Sequence, residues 1–156
     1  ETHNPVRVRS LELIPDTGGA GQWRGGCGLR KDIEMLNSTA VLSHLGDRHR
    51  FPSYGLFGGG AAAPSRNILD PDGRAEELPS KLTRTLHAGD VIRHEQAGGG
   101  GYGDPLRRDP RRVGADVADG KISPGFAERN FGVILLPDSF EPDLTATNFR
   151  RNQQEG

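Results

Sequence analysis

One cysteine, Cys27, is the only thiol in this 156-residue chain, so no disulfide can form within it and a reducing, cytoplasmic setting is expected. Long apolar runs are missing as well. None approaches the ~20 residues a membrane-spanning helix needs, and the N-terminal residues lack the pattern of a secretory leader. The chain opens on Glu1 rather than a methionine, as a chain with residues missing ahead of it would. Charge of one sign is absent: 20 Lys and Arg against 21 Asp and Glu leave a formal net charge of −1. Without a basic field or an acidic excess, neither nucleic acid nor a membrane surface is an expected partner. The one basic cluster, Arg107–Arg112, reads as a solvated helix start. Leu, Ile, Val and Phe together number 34. At about 22% of the chain this is close to the limit below which chains stay unfolded. The core is therefore thin, and part of the burial is expected against a partner.

Several chemistries lack their residues. There is no GxSxG and no HExxH. Met35 is the only methionine, so no lysine stands between methionines as a biotin site would require. Gly98–Gly103 fits the spacing GxGxxG, but the preceding VIRHEQA is too polar for a buried central strand, and Pro105 and Pro110 interrupt the helix such a loop needs. Gly114–Lys121 misses the phosphate-loop spacing by one residue and has Ile122 where a hydroxyl should meet magnesium. No cofactor is expected on this chain alone. His44, Asp47 and His49 are metal ligands by type, yet on a strand or loop they need not converge, and a structural role is the expectation. Asp47-Arg48, followed by Arg50, suits an interface ion pair better than an anion site. Cys27 has no histidine near it in sequence to act as its base.

What the chain does have is glycine, 23 residues of it. GGAGQWRGGCG (Gly18–Gly28) carries Trp23 and Arg24 where a flexible linker would carry Ser or Thr. FGGGAAAP (Phe57–Pro64) and GGGGYGDP (Gly98–Pro105) repeat the device. Lacking Cβ, glycine lets two backbones approach closely, so the tracts read as extended, polyproline-like segments lying side by side. Trp23 is expected to anchor the first tract against the other two or against a partner subunit, and valine at Gly25 or Gly26 is expected to disrupt assembly of the complex by stopping the close backbone approach.

Between the tracts lie short strands. Val6–Ile14 changes the phase of its apolar alternation and so needs a bulge near Ser10. Leu29–Met35 and Thr39–Leu45, separated by Asn37-Ser38, read as a hairpin. Asn67–Leu69 is a short apolar run before the turn Asp70-Pro71-Asp72-Gly73. Leu82–His87 turns at Ala88-Gly89-Asp90 and returns through Val91–Ala97. Asp109-Pro110 starts one helix reaching to about Gly120, and Ser123-Pro124 starts a second ending near Asn130. The expected fold is mainly β: two small sheets in a barrel-like arrangement, joined to the glycine segments, with two short C-terminal helices. Residues 1–136 form one domain, and 137–156 an extended or disordered tail.

Three stretches in this order, Gly18–Asp32 (GGAGQWRGGCGLRKD), Asp47–Gly59 (DRHRFPSYGLFGG) and Leu78–Pro110, resemble the C-terminal region of the hydantoinase B/oxoprolinase family; the resemblance continues to about Leu136. As a free-standing small chain it is similar to the small subunits of acetophenone carboxylases. The resemblance implies an interface role in a biotin-independent enzyme complex that uses ATP and a divalent metal to carboxylate acetophenone with bicarbonate. The implied partners are a larger hydantoinase-B-like subunit and ATP-binding hydantoinase-A-like subunits. The alternative it leaves open is an ATP-dependent hydrolase of cyclic amides. Packing or interface residues on this reading are Gly18, Gly19, Gly21, Trp23, Arg24, Gly25, Gly26, Asp47, Arg48, Gly58, Gly59, Lys81, Gly98, Gly99, Gly100, Gly101 and Tyr102.

Overall fold

The computed structural model describes residues 5–154. Seven strands and three α-helices follow one another as β1 (Val6–Ile14), β2 (Gly28–Met35), β3 (Thr39–Leu45), β4 (Arg66–Leu69), β5 (Glu76–Leu78), β6 (Lys81–His87), β7 (Val91–Glu95), α1 (Pro110–Ala118), α2 (Pro124–Phe131) and α3 (Leu144–Gln154). The fold is mainly β, in two sheets. One has the order β1-β2-β7-β4-β5, with every pair antiparallel, and the other is the ribbon β3-β6. Among the described residues no barrel closes, and β1 and β5 are the two ends of the larger sheet. The bulge in β1 is present, as a register shift between Val8 and Ser10.

The expected hairpin of β2 with β3 does not form. β2 pairs with β1 and β7, while β3 pairs with β6. β6 and β7 likewise share a turn, with Gly89 at φ +90°, but enter different sheets. The reason lies in what the crossings bury. Sending β3 and β6 over the face of the larger sheet closes a core of Met35, Leu69, Leu78, Leu86 and Ile92. A local hairpin would have left that face in water.

A second core lies under the helices, where Val113, Val117, Ile122, Ala127, Phe131 and Val133 pack with Ala20 of the first glycine tract. Asp109 caps α1 by accepting from the Arg111 N–H (2.9 Å), and Ser123 caps α2 by accepting from the Phe126 N–H (3.1 Å). Gly132, at φ +61°, ends α2. The tail is not extended. Asp143 accepts from the Ala146 N–H (2.9 Å) and starts α3. Thr147, fully buried, bonds the Ile134 N–H (3.0 Å), and Arg151 donates to the Phe131 and Arg108 carbonyls (3.0 and 2.8 Å). Polar contacts rather than an apolar stripe hold this helix, so its hydrophobic pattern is weak.

Candidate functional site

The three glycine tracts converge into one platform. Gly19 N–H donates to the Gly99 carbonyl (2.9 Å), Gly60 to Ala20 (2.7 Å), and Gly101 to Gly60 (2.9 Å), so each tract is bonded to both others. Gly99 N–H returns a bond to Gly26, and Trp23 and Tyr102 exchange a pair (3.0 and 2.9 Å). The backbones lie too close for side chains. A Cβ on Gly19 would meet the Gly60 carbonyl oxygen, one on Gly25 the Gly99 oxygen, one on Gly98 the Thr17 oxygen and one on Gly101 the Ala20 oxygen. Gly18, Gly21, Gly59 and Gly100 are similarly pressed against main chain.

Gly26 differs. It is exposed, with nothing among the described residues within 4 Å of an added Cβ, so the close backbone approach expected there is absent within this chain, whereas at Gly25 it is present. Gly58 is also exposed and is required for its backbone angle, φ +92°. The main chain bends at Asp47 and Arg48: Arg48 sits at φ +64°, and the two carbonyls accept from Ser65 Oγ and N (2.5 and 3.0 Å). Lys81 opens β6, and among the described residues no hydrogen bond or ion pair ties it to the tracts.

An aromatic rim borders the platform. Trp23 is 55% exposed rather than buried between the tracts, with the Arg112 guanidinium 5.5 Å above its ring. Phe57, 78% exposed, lies 5.2 Å from the Tyr102 ring, and Phe51, Tyr54 and Leu56 are exposed in the segment leading into the second tract. Exposed large apolar groups gathered in one region mark an interaction surface rather than ordinary scatter.

Below the rim, Asp116 of α1 joins the platform to the helices. It accepts from Nε and Nη2 of Arg24 (3.2 Å each) and from Arg108 at 2.7 Å, with all three side chains mostly buried. Burial pushes the Asp116 carboxyl up, but the Arg24 hydrogen bond and the charges of Arg24 and Arg108 outweigh it and hold the pKa below its ordinary value. The Cys27 thiol donates to the Lys121 carbonyl (3.3 Å) and is spanned by Arg24, a packing role.

A junction of three histidines and one asparagine lies between the sheets. Asn67, 2% exposed, donates from Nδ2 to Nε2 of both His44 and His49 (2.8 Å each) and accepts at Oδ1 from Nδ1 of His94 (2.6 Å). Ser65 Oγ is 2.8 Å from His49 Nδ1. In this network His44 and His49 accept at Nε2, because a proton there would face the amide's own hydrogens. Among the described residues no group of His, Cys, Asp or Glu has the arrangement of a metal site, and His44, Asp47 and His49 do not form one. In sequence, the asparagine that organises the junction is only part of a short apolar run. The available clue is a polar residue on the same strand face as Leu69.

The His44 pKa is lowered by burial and by His49, and that of His94 by burial, by His44 and His49, and by Lys31. Groups depressed on folding contribute stability above their unfolded pKa and lose it as pH falls through the folded value. The urea midpoint is therefore expected to drop between about pH 7.5 and pH 5.5, a window spanning the ordinary histidine pKa. The drop should shrink in His44→Asn. A flat profile in the unmodified chain would remove the junction's role.

The hydantoinase B/oxoprolinase family matches residues 1–105. The chain belongs to that family. It is 35% identical to a putative D-/L-hydantoinase component of Pseudomonas sp. (strain NS671), over 95% of this chain and 25% of the relative. The crystal structure of the ATP-dependent caprolactamase of Pseudomonas jessenii superposes with a TM-score of 0.78 at 31% identity, covering 95% of this chain and 26% of that one. A nucleotide-free acetone carboxylase structure gives a TM-score of 0.81 at 22% identity, over 97% of this chain and 25% of that chain, which is likeness of fold. The chain thus spans about a quarter of the length of these family members.

Proposed function

We propose that this chain is the C-terminal structural module of an ATP-dependent enzyme that opens cyclic amides, and that its glycine platform and aromatic rim seat the rest of that enzyme. The observation that carries the reading is identity above 30% along nearly the whole chain to hydantoinase and caprolactamase proteins. The rim supports the interface half: Trp23, Phe57 and Tyr102 stand on a backbone that cannot repack, a pre-organised surface. The tracts bond one another through isolated bridges rather than ladders, which fits polyproline-like segments. Catalysis and the handling of ATP and a divalent metal fall to the partners, a larger hydantoinase-B-like subunit and ATP-binding hydantoinase-A-like subunits, in the cytoplasm and without biotin. The second reading is carboxylation of a ketone, acetophenone in its narrowest form, and the 24% identity over 86% of this chain to the acetone carboxylase alpha subunit of Xanthobacter autotrophicus supports it.

Reconstitution with the partner subunits decides between them. ATP-dependent conversion of ε-caprolactam or a hydantoin to the ring-opened acid is expected. ATP-dependent incorporation of labelled bicarbonate into a ketone, without ring opening, would replace this reading by the second. Trp23→Ala tests the surface. Because the indole is half exposed, thermal stability should change little, whereas the complex should weaken by about 2 kcal/mol or more, as for a central aromatic anchor. Unchanged affinity by calorimetry would place the interface elsewhere.

A further inference from the structure

The inner face of the five-stranded sheet carries a polar rung inside an apolar core. Lys31 of β2, His94 of β7 and Asn67 of β4 stand opposite one another, and the next rung is Ile33, Ile92 and Leu69. Across from them on the ribbon, His44 is paired with Leu82. Between the two sheets lies a cavity of about 310 Å³, lined by these polar groups, by Gln96 and by aliphatic side chains. Asn67 occupies Nε2 of His44 and Nδ1 of His94. That leaves Nδ1 of His44, which must carry its ring's hydrogen, together with the Lys31 ammonium and the Gln96 amide, without a hydrogen bond or ion pair among the described residues. Among the described residues Lys31 is the one formal charge on the lining, and no carboxylate lines the cavity.

We propose that this cavity binds a small monocarboxylate, its carboxylate on Lys31 and the Nδ1–H of His44 and its hydrocarbon body against Ile33 and Leu82. The charges decide the class. A neutral ligand would leave the ammonium of the half-buried Lys31 without a counter-charge, and a zwitterion would press its own ammonium onto the aliphatic wall. The volume is at the lower end of small-ligand sites, which limits the body to a short chain or one ring.

The test titrates the full chain with hexanoate, hexanamide and 6-aminohexanoate, which share one carbon skeleton, and follows the histidine ring signals by NMR. Hexanoate is expected to bind and to shift the His44 and His94 rings, with the other two weaker by at least about tenfold. Lys31→Met should weaken hexanoate by about tenfold or more and leave hexanamide unchanged. Leu82→Trp, which fills the cavity from the opposite sheet, should abolish hexanoate binding independently of charge. Equal affinity for acid and amide, hexanoate binding that survives both variants, or no ring shift at about 10 mM hexanoate would each overturn the assignment. These outcomes are separable from those of the reconstitution, because they are read on this chain without ATP or partners.

Discussion

Alanine at Gly25 is expected to lower the stability of the chain by about 3 kcal/mol or more, while alanine at Gly26, the next residue, changes it by less than about 1 kcal/mol. The contrast follows from what each new methyl group meets. At Gly25 it lands on the Gly99 carbonyl oxygen, with the Gly100 oxygen 2.9 Å away. Neither atom belongs to a side chain that can turn aside. Relief requires the first and third tracts to separate, which breaks the Gly19–Gly99 and Gly99–Gly26 hydrogen bonds and leaves buried backbone groups without partners. At Gly26 the methyl enters open space, and φ lies outside the left-handed region, so a reduced unfolded-state entropy is the main effect. Urea denaturation followed by the fluorescence of Trp23, the only tryptophan, measures both variants directly. Equal midpoints for the two would refute backbone-to-backbone packing as the basis of the platform.

Asp116→Ala should cost about 3–5 kcal/mol, the second large effect, because it strands two guanidinium groups at once. Arg24 and Arg108 are each about one-tenth exposed at the side chain and converge on one carboxylate oxygen, Oδ2. Their attraction holds the Asp116 pKa down against the opposing push of burial. This contribution is complete above the ordinary carboxylate value of 3.8 and disappears as pH falls through the lower folded value. The variant should therefore lose part of the acid sensitivity of the unmodified chain. Adding Arg24→Ala to Asp116→Ala should cost much less than the sum of the two single changes. Strict additivity in that cycle would dissolve the claimed coupling between platform and helices.

What was legible in advance was whatever the chain encodes locally. The phase change in Val6–Ile14 located the β1 bulge, and Asp109-Pro110 and Ser123-Pro124 located two helix starts, because capping uses adjacent residues. Pairing was not legible. Alternation in β2 and β3 says that each is a strand with one buried face, but the partner depends on residues far along the chain. In the site, glycine around Trp23 and Arg24 signalled close backbone approach. Which glycines matter was hidden, since Gly25 and Gly26 look identical in sequence and differ only in what faces them. The histidine junction was half hidden for a similar reason: His44 and His49 read as structural, but the Asn67 that joins them to His94 comes from a third strand. α3 was missed because its anchors, Thr147 and Arg151, work by hydrogen bonding, which leaves no apolar period to read.

A surface supported by leucines is elastic, since a lost methylene in one side chain can be filled by a neighbour's rotamer. The floor beneath Trp23, Phe57 and Tyr102 has no such freedom, because carbonyl oxygens and amide nitrogens of three crossing segments touch one another directly. Any partner seated there meets a rigid template whose shape is set by bond lengths rather than by packing. Tuning of that contact must therefore come from the rim residues or from the partner, and a damaged floor has no second-site repair within reach of a side chain.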